Sequence, residues 1–147
     1  MPDNVMEKHK ARSILQRMSG LFGEEHPVTH RATAFNESRG KALATQLEIA
    51  DDGYARRKGL LGRDGLEVGT GLWIYPCESV HTFAMRFAID LVYLDRDCVV
   101  KKLRSNVPPG RLSACLFARS VIELPAGTIE ATGTQIGDRI AISKLEM

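Results

Sequence analysis

The sequence predicts a mostly β (α+β) fold, a compact antiparallel-rich sheet curled toward a small barrel, with two short helices and a helical N-terminal extension. Three observations predict it. Apolar residues alternate with polar or small ones over short runs. Turn-forming clusters separate those runs at close intervals. Beyond residue 32 only two stretches carry helix signals, and both are short. The 147 residues fit one domain plus an extension.

The extension is set at residues 1–31. Val5, Ile14, Leu15, Met18, Leu21 and Phe22 fall near one side of a helix, with Lys8, Arg12 and Arg17 among its polar positions; Gly23 and Pro27 end it. The apolar stripe is short and Glu7 interrupts the basic face, which favours a packed or partly disordered extension over a membrane-surface helix. His9, His26 and His30 lack paired metal spacing and are read as surface residues.

The single β-rich domain is set at residues 32–147. Leu43, Thr45, Leu47 and Ile49 alternate with Ala44, Gln46 and Glu48 as a half-buried strand. Asp51-Asp52-Gly53 is a turn or helix cap, Tyr54 to Leu61 a short helix, and Gly62 its C-terminal end. Leu72 to Tyr75 and Ile89 to Leu94 are strands, and Asp95-Arg96-Asp97 turns the chain into another over Cys98 to Leu103. Pro108-Pro109-Gly110 is a loop and Val121 to Leu124 a strand. Pro125 opens a helix from Ala126 to Ala131, and Gly137-Asp138 leads into a last strand over Arg139 to Ser143. About seven short strands result.

Composition bounds the function. Hydrophobic residues at 44% and charged residues at 26% suit a soluble globular protein. A net charge of +2 and 6% aromatics argue against nucleic acid as a partner. No run of about 18 apolar residues offers a membrane span, and the N-terminal region lacks the apolar core of a signal peptide. The expectation is a cytoplasmic protein whose Cys77, Cys98 and Cys115 are free thiols.

The stretch Pro76 to Asp90 is the most unusual. It holds a cysteine, the only histidine after residue 30, an arginine and an aspartate in an otherwise apolar run. Charged and imidazole groups there need partners or a purpose. If Thr82 to Asp90 is extended, Thr82, Ala84, Arg86, Ala88 and Asp90 share one face, and Phe83, Met85, Phe87 and Ile89 form the core face. Arg86 and Asp90 would then stand about 13 Å apart, too far to pair. Structural ion-pair networks and ligand sites both collect such charges.

Arg57 and Arg63 bracket a glycine-containing helix end, and guanidinium forks suit carboxylates or phosphates. The run lacks the spacing of a phosphate loop. Glu123, between Ile122 and Leu124, is buried if its strand is covered on both sides and then needs a cation; Arg86, Arg57 and Arg63 are the candidates, and Arg86 is the expected partner. Cys98, beside Val99 and Val100, is read as core. Cys77, His81 and Cys115 with a water would make a catalytic-type zinc site, Cys77 with His81 a nucleophile and its base, and Cys77 with Cys115 a disulfide if the fold brings them together.

Several short elements occur in a characteristic order: Arg57-x-Gly59-Leu60-Leu61-Gly62-Arg63, Gly71-Leu72-Trp73, Phe83 to Asp90, Leu94-Asp95, Val121 to Gly127 and Gly137-Asp138. Together they resemble the domain of unknown function 192 family, an uncharacterised conserved region of bacteria and archaea, over about residues 40–143. The family usually reads Phe-Trp-Met-Lys-Asn-Thr where this chain reads Phe83-Ala84-Met85-Arg86-Phe87-Ala88. The positive charge survives at Arg86, but the aromatic is lost at Ala84. The resemblance implies a small β-rich, barrel-like fold and no established substrate, cofactor or reaction.

The function expected is a non-catalytic binding module, with Arg57, Arg63, His81, Arg86, Asp90 and Glu123 lining a cleft for a small polar or anionic ligand and no cofactor. The alternatives are a protein-interaction domain using the N-terminal helix, and a Cys/His or zinc-dependent hydrolase using Cys77, His81 and Cys115.

Overall fold

In the computed structural model, residues 31–145 are described. The expected extension over 1–31 lies outside them except for Arg31. The strands are β1 (Arg31–Asn36), β2 (Lys41–Ala50), β3 (Thr70–Ile74), β4 (Ser79–His81), β5 (Ile89–Leu94), β6 (Val100–Val107), β7 (Leu112–Ala114), β8 (Ser120–Pro125) and β9 (Ile140–Lys144). Two helices join them, α1 (Gly53–Lys58) and α2 (Thr128–Thr132). Seven strands form one sheet in the order β6-β5-β8-β3-β2-β1-β9, and β4 pairs with β7 as a separate ribbon. The sheet curls until its edges meet at one end, where Val99 bridges Arg139 and the Val100 N–H donates to the Asp138 carbonyl at 2.9 Å.

The fold is thus the mostly β, curled sheet with two short helices that the alternation implied. All sheet neighbours are antiparallel except β2 and β3. A parallel pair needs a long crossover, and the segment between Ala50 and Thr70, containing α1, supplies it.

Side-chain alternation on β5 and β8 builds two cores on opposite faces of the sheet. One contains Leu43, Leu47, Val92, Leu94, Ile122, Leu124 and Ile140. The other contains Leu60, Leu72, Ile74, Val80, Met85, Leu91, Tyr93 and Val121. Every residue of β5 and β8 is buried.

Several local expectations fail for identifiable reasons. Thr82 to Ala88 is not extended: Ala84 has φ 61°, and the Met85 N–H donates to the Thr82 carbonyl at 3.2 Å, so the chain turns. Arg86 and Asp90 therefore do not share a strand face. Thr45 is exposed, because β2 shifts register against β1 and the Thr45 and Gln46 N–H groups both donate to the Gly69 carbonyl. Helix α1 ends at Gly59, not Gly62, and Pro125 closes β8 instead of opening α2, whose N-cap is Gly127. Cys98 lies in the turn before β6 at φ 59° and is only partly buried against the core.

Candidate functional site

Helix α1 sets one wall of a pocket of about 380 Å³. Asp52 starts the helix by accepting the Ala55 N–H at 2.8 Å. Its last turn carries Arg56, Arg57 and Lys58, the charge sign that a helix C-terminus favours. Gly59, at φ 48°, then turns the chain inward so that Leu60 is buried. The three cations line the pocket, joined by His81 at the end of β4. Leu60, Ile74, Val80 and Met85 provide apolar wall.

Glu123 belongs to the pocket lining and is only 3% exposed. It pairs in register with Leu72 on β3 and Leu91 on β5, so aliphatic side chains flank it across the sheet. Its Oε2 is buried without a hydrogen-bond partner. Burial pushes its carboxyl from 4.5 up to about 7, and the positive charge of Arg63 only partly opposes that rise.

Arg63 itself is forked onto Glu48, with Nη2 2.5 Å from Oε2 and Nη1 3.4 Å from Oε1. The expected Glu123–Arg86 pair does not form: Arg86 pairs instead with Asp64 on the surface, where both side chains are exposed. Arg86 is not part of the pocket lining.

Asp90 is also outside the pocket, because it faces the other side of the sheet. Its Oδ1 accepts the Asn106 N–H at 2.8 Å, and its Oδ2 accepts from Gly127 at 3.2 Å and Ile129 at 2.9 Å. It ties β5 to the end of β6 and the start of α2. Of the six expected site residues, Arg57, His81 and Glu123 line the pocket together, and Arg63 acts on Glu123 only through its charge.

Of the thiol–imidazole set, Cys77 and His81 both line the pocket. Among the described residues no three His, Cys, Asp or Glu side chains are grouped to hold a metal, so Cys77, His81 and Cys115 do not converge. Cys77 and Cys115 are both free. The Cys77 Sγ donates to the Ser79 carbonyl at 3.1 Å, and burial pushes its thiol up, opposite to the activation a nucleophile requires. The His81 ring stacks on Phe83, with centroids 5.4 Å apart.

Sequence reasoning missed Arg56, Lys58 and Met85. Three basic residues immediately before Gly59 are a helix-end signal that points to the pocket lining. Nothing local marks Met85, which reaches the pocket only because the chain turns at Ala84.

The chain is similar to known proteins in fold and, over part of its length, in sequence. A solved structure of a proposed transcription regulator from Sinorhizobium meliloti superposes with a TM-score of 0.70 at 22% identity, covering 82% of this chain and 98% of that one. A protein of unknown function from Novosphingobium aromaticivorans gives 0.67 at 20% identity, over 79% and 89%. In sequence, a UPF0127 protein of Thermococcus sibiricus is 31% identical over 116 residues, 71% of each chain. One from Pyrococcus furiosus is 30% identical over 121 residues, 75% of this chain and 97% of the relative. The family model described as "Uncharacterized ACR" matches residues 34–142, a span that takes in every strand from β2 to β8 and the whole pocket, and the chain belongs to that family, domain of unknown function 192.

Proposed function

We propose that the chain is a non-catalytic binding module that takes a small polar or anionic ligand in the pocket beneath α1. One observation carries the reading: Glu123, with a buried, unpartnered carboxyl oxygen, lines a cavity also lined by Arg56, Arg57 and Lys58. Buried polar atoms are normally hydrogen-bonded, and an exception beside an open cavity suits a site completed by a ligand. These cations suit an anionic group. The raised Cys77 thiol weighs against a nucleophilic enzyme. Three free thiols suit a reducing cytoplasm, and no described helix is long and apolar enough to cross a membrane.

Isothermal titration with a panel of small carboxylates and phosphates tests the reading. Saturable binding that weakens about tenfold in Arg57→Ala, roughly 1.4 kcal/mol, supports it. No saturable binding across the panel overturns it, as does binding indifferent to both Arg57→Ala and Glu123→Gln.

A second reading, a protein-interaction domain, draws on Leu112, Leu116 and Phe117, which are 68%, 81% and 83% exposed on and after β7. Deleting residues 1–31 tests whether the N-terminal segment takes part. Unchanged oligomeric state and unchanged partner recovery would remove that segment from the reading.

A further inference from the structure

We infer that the turn after β7 anchors the protein on an anionic lipid bilayer, with Leu116 and Phe117 entering the acyl layer and Arg111 and Arg119 meeting the headgroups. The inference is independent of the pocket, and it names a lipid surface where the second reading above names a protein. Its basis is the segment Arg111 to Arg119, which reads Arg-Leu-Ser-Ala-Cys-Leu-Phe-Ala-Arg. An arginine stands at each end and no acid between them.

The fold turns that segment outward. The Ala118 N–H donates to the Cys115 carbonyl at 3.0 Å, so Leu116 and Phe117 form the corner of a tight turn. Gly, Pro, Asn, Asp and Ser are the usual residues at such a corner. Leucine and phenylalanine have no conformational advantage there, and at 81% and 83% exposure they meet water at a cost. Leu112, at the start of β7, is 68% exposed and pairs in register with His81. The His81 ring stacks on the half-exposed Phe83, which extends the apolar surface beyond the turn.

The charge around this surface is positive. Arg111 and Arg119 are exposed, and among the described residues neither is in an ion pair. The Arg119 guanidinium lies 5.5 Å from the centre of the partly exposed Tyr75 ring, and a tyrosine beside a cation suits the headgroup level of a bilayer. Glu78, whose carbonyl accepts the Cys115 N–H, is the acid across the pairing, and the two arginines with Lys102 outnumber it. Apolar side chains projecting between cations suit acyl chains beneath anionic headgroups.

Other occupants fit less well. Strand addition needs a free β7 edge, and the Ala114 carbonyl already accepts the Lys102 ammonium at 2.6 Å. A second copy related by a two-fold axis through Cys115 would set the Arg111 end of one chain against the Arg119 end of the other, like charge facing like. A folded partner must offer a shaped recess for two side chains on a convex corner, whereas a fluid bilayer takes them in any orientation.

The test is flotation of the full chain with phosphatidylcholine vesicles and with vesicles of phosphatidylcholine and phosphatidylglycerol mixed about two to one. Binding to the mixed vesicles should be about tenfold tighter or more, and added salt should weaken it. The double variant Leu116→Ser, Phe117→Ser should lose about tenfold or more in that binding with an unchanged unfolding midpoint, since both side chains face solvent. Arg111→Ala with Arg119→Ala should remove the preference for the mixed vesicles. Phe117→Trp should show fluorescence quenched by brominated acyl chains, with the wild type's Trp73 as baseline.

No flotation with either vesicle overturns the inference, as does equal binding to both. Binding that survives in the double serine variant, or quenching in Phe117→Trp no greater than the baseline, overturns it too. A concentration-dependent dimer that the double serine variant abolishes, without flotation, gives the surface to a second copy instead.

Discussion

Gly59 lies over Glu123: a Cβ built on Gly59 would stand 3.8 Å from the Glu123 Oε2, in ordinary contact. Space is therefore not what demands glycine. The backbone is, at φ 48° and ψ −126°, which side chains other than hydrogen rarely tolerate. Gly59→Ala should cost about 1–3 kcal/mol. Urea unfolding measures it; a loss below about 0.5 kcal/mol would show that the helix end relaxes freely.

Glu123 should make stability fall as pH rises toward neutrality. Folding raises its pKa from 4.5 to about 7, so between those values the folded chain holds more proton than the unfolded one. Stability then decreases with pH through that window and levels off above it, by roughly 3 kcal/mol for this group. In Glu123→Gln the decrease should vanish. The acid limb should remain, because Asp138 works in the opposite sense. Burial acts to raise its pKa, but hydrogen bonds from Arg39, Asn36 and the Gln135 N–H outweigh it and hold the carboxyl below its ordinary range. That stabilisation is present above the ordinary carboxylate range and is lost as pH falls through the depressed folded value. Denaturant midpoints measured from pH 2 to 9 check both limbs, and identical slopes between pH 4 and 8 in wild type and Glu123→Gln would contradict the assignment.

Asp90 should behave as a structural residue. It is fully buried and accepts three backbone N–H groups. One of these belongs to Asn106, which sits at φ 52°. Asp90→Ala strands all three donors, at about 1–3 kcal/mol each, a sum comparable with the roughly 5–15 kcal/mol that holds a domain together. The variant should be largely unfolded by circular dichroism at 37 °C. Asp90→Asn keeps one acceptor oxygen and should fall between the two. A native-like melt for Asp90→Ala would mean the loops find other partners.

The fold was legible where short apolar runs meet turn residues. Ile89 to Leu94, the Asp95-Arg96-Asp97 turn and Val121 to Leu124 all stand where pattern and turn chemistry agree. Glu123 was legible as a buried acid because apolar neighbours in a covered strand leave it no exposed side. Its environment was not legible, because which cation lies near it depends on how β2, the α1 region and β8 assemble. Arg63 reaches it only as a charge, already engaged by Glu48 fifteen residues upstream. The run Thr82 to Ala88 misled because its alternation of Thr, Ala and Arg with Phe, Met and Phe is that of a strand. The turn at Ala84 uses a left-handed conformation that an alanine does not advertise.

Arg86 provides the sharpest contrast between its sequence context and its place in the fold. Its neighbours suggest a charge inside a strand; its side chain is 61% exposed and pairs with Asp64, which is 89% exposed. Solvent and salt screen such a pair, and its worth is at most about 0.5–1 kcal/mol before that discount. Arg86→Ala should therefore change the unfolding midpoint little and leave carboxylate binding in the pocket unaltered, whereas Arg57→Ala should weaken binding without a comparable loss of stability. Parallel melts and titrations of the two variants decide the matter. A loss of binding in Arg86→Ala alone would move the ligand from the pocket beneath α1 to the Asp64–Arg86 surface and remove Arg57 from the site.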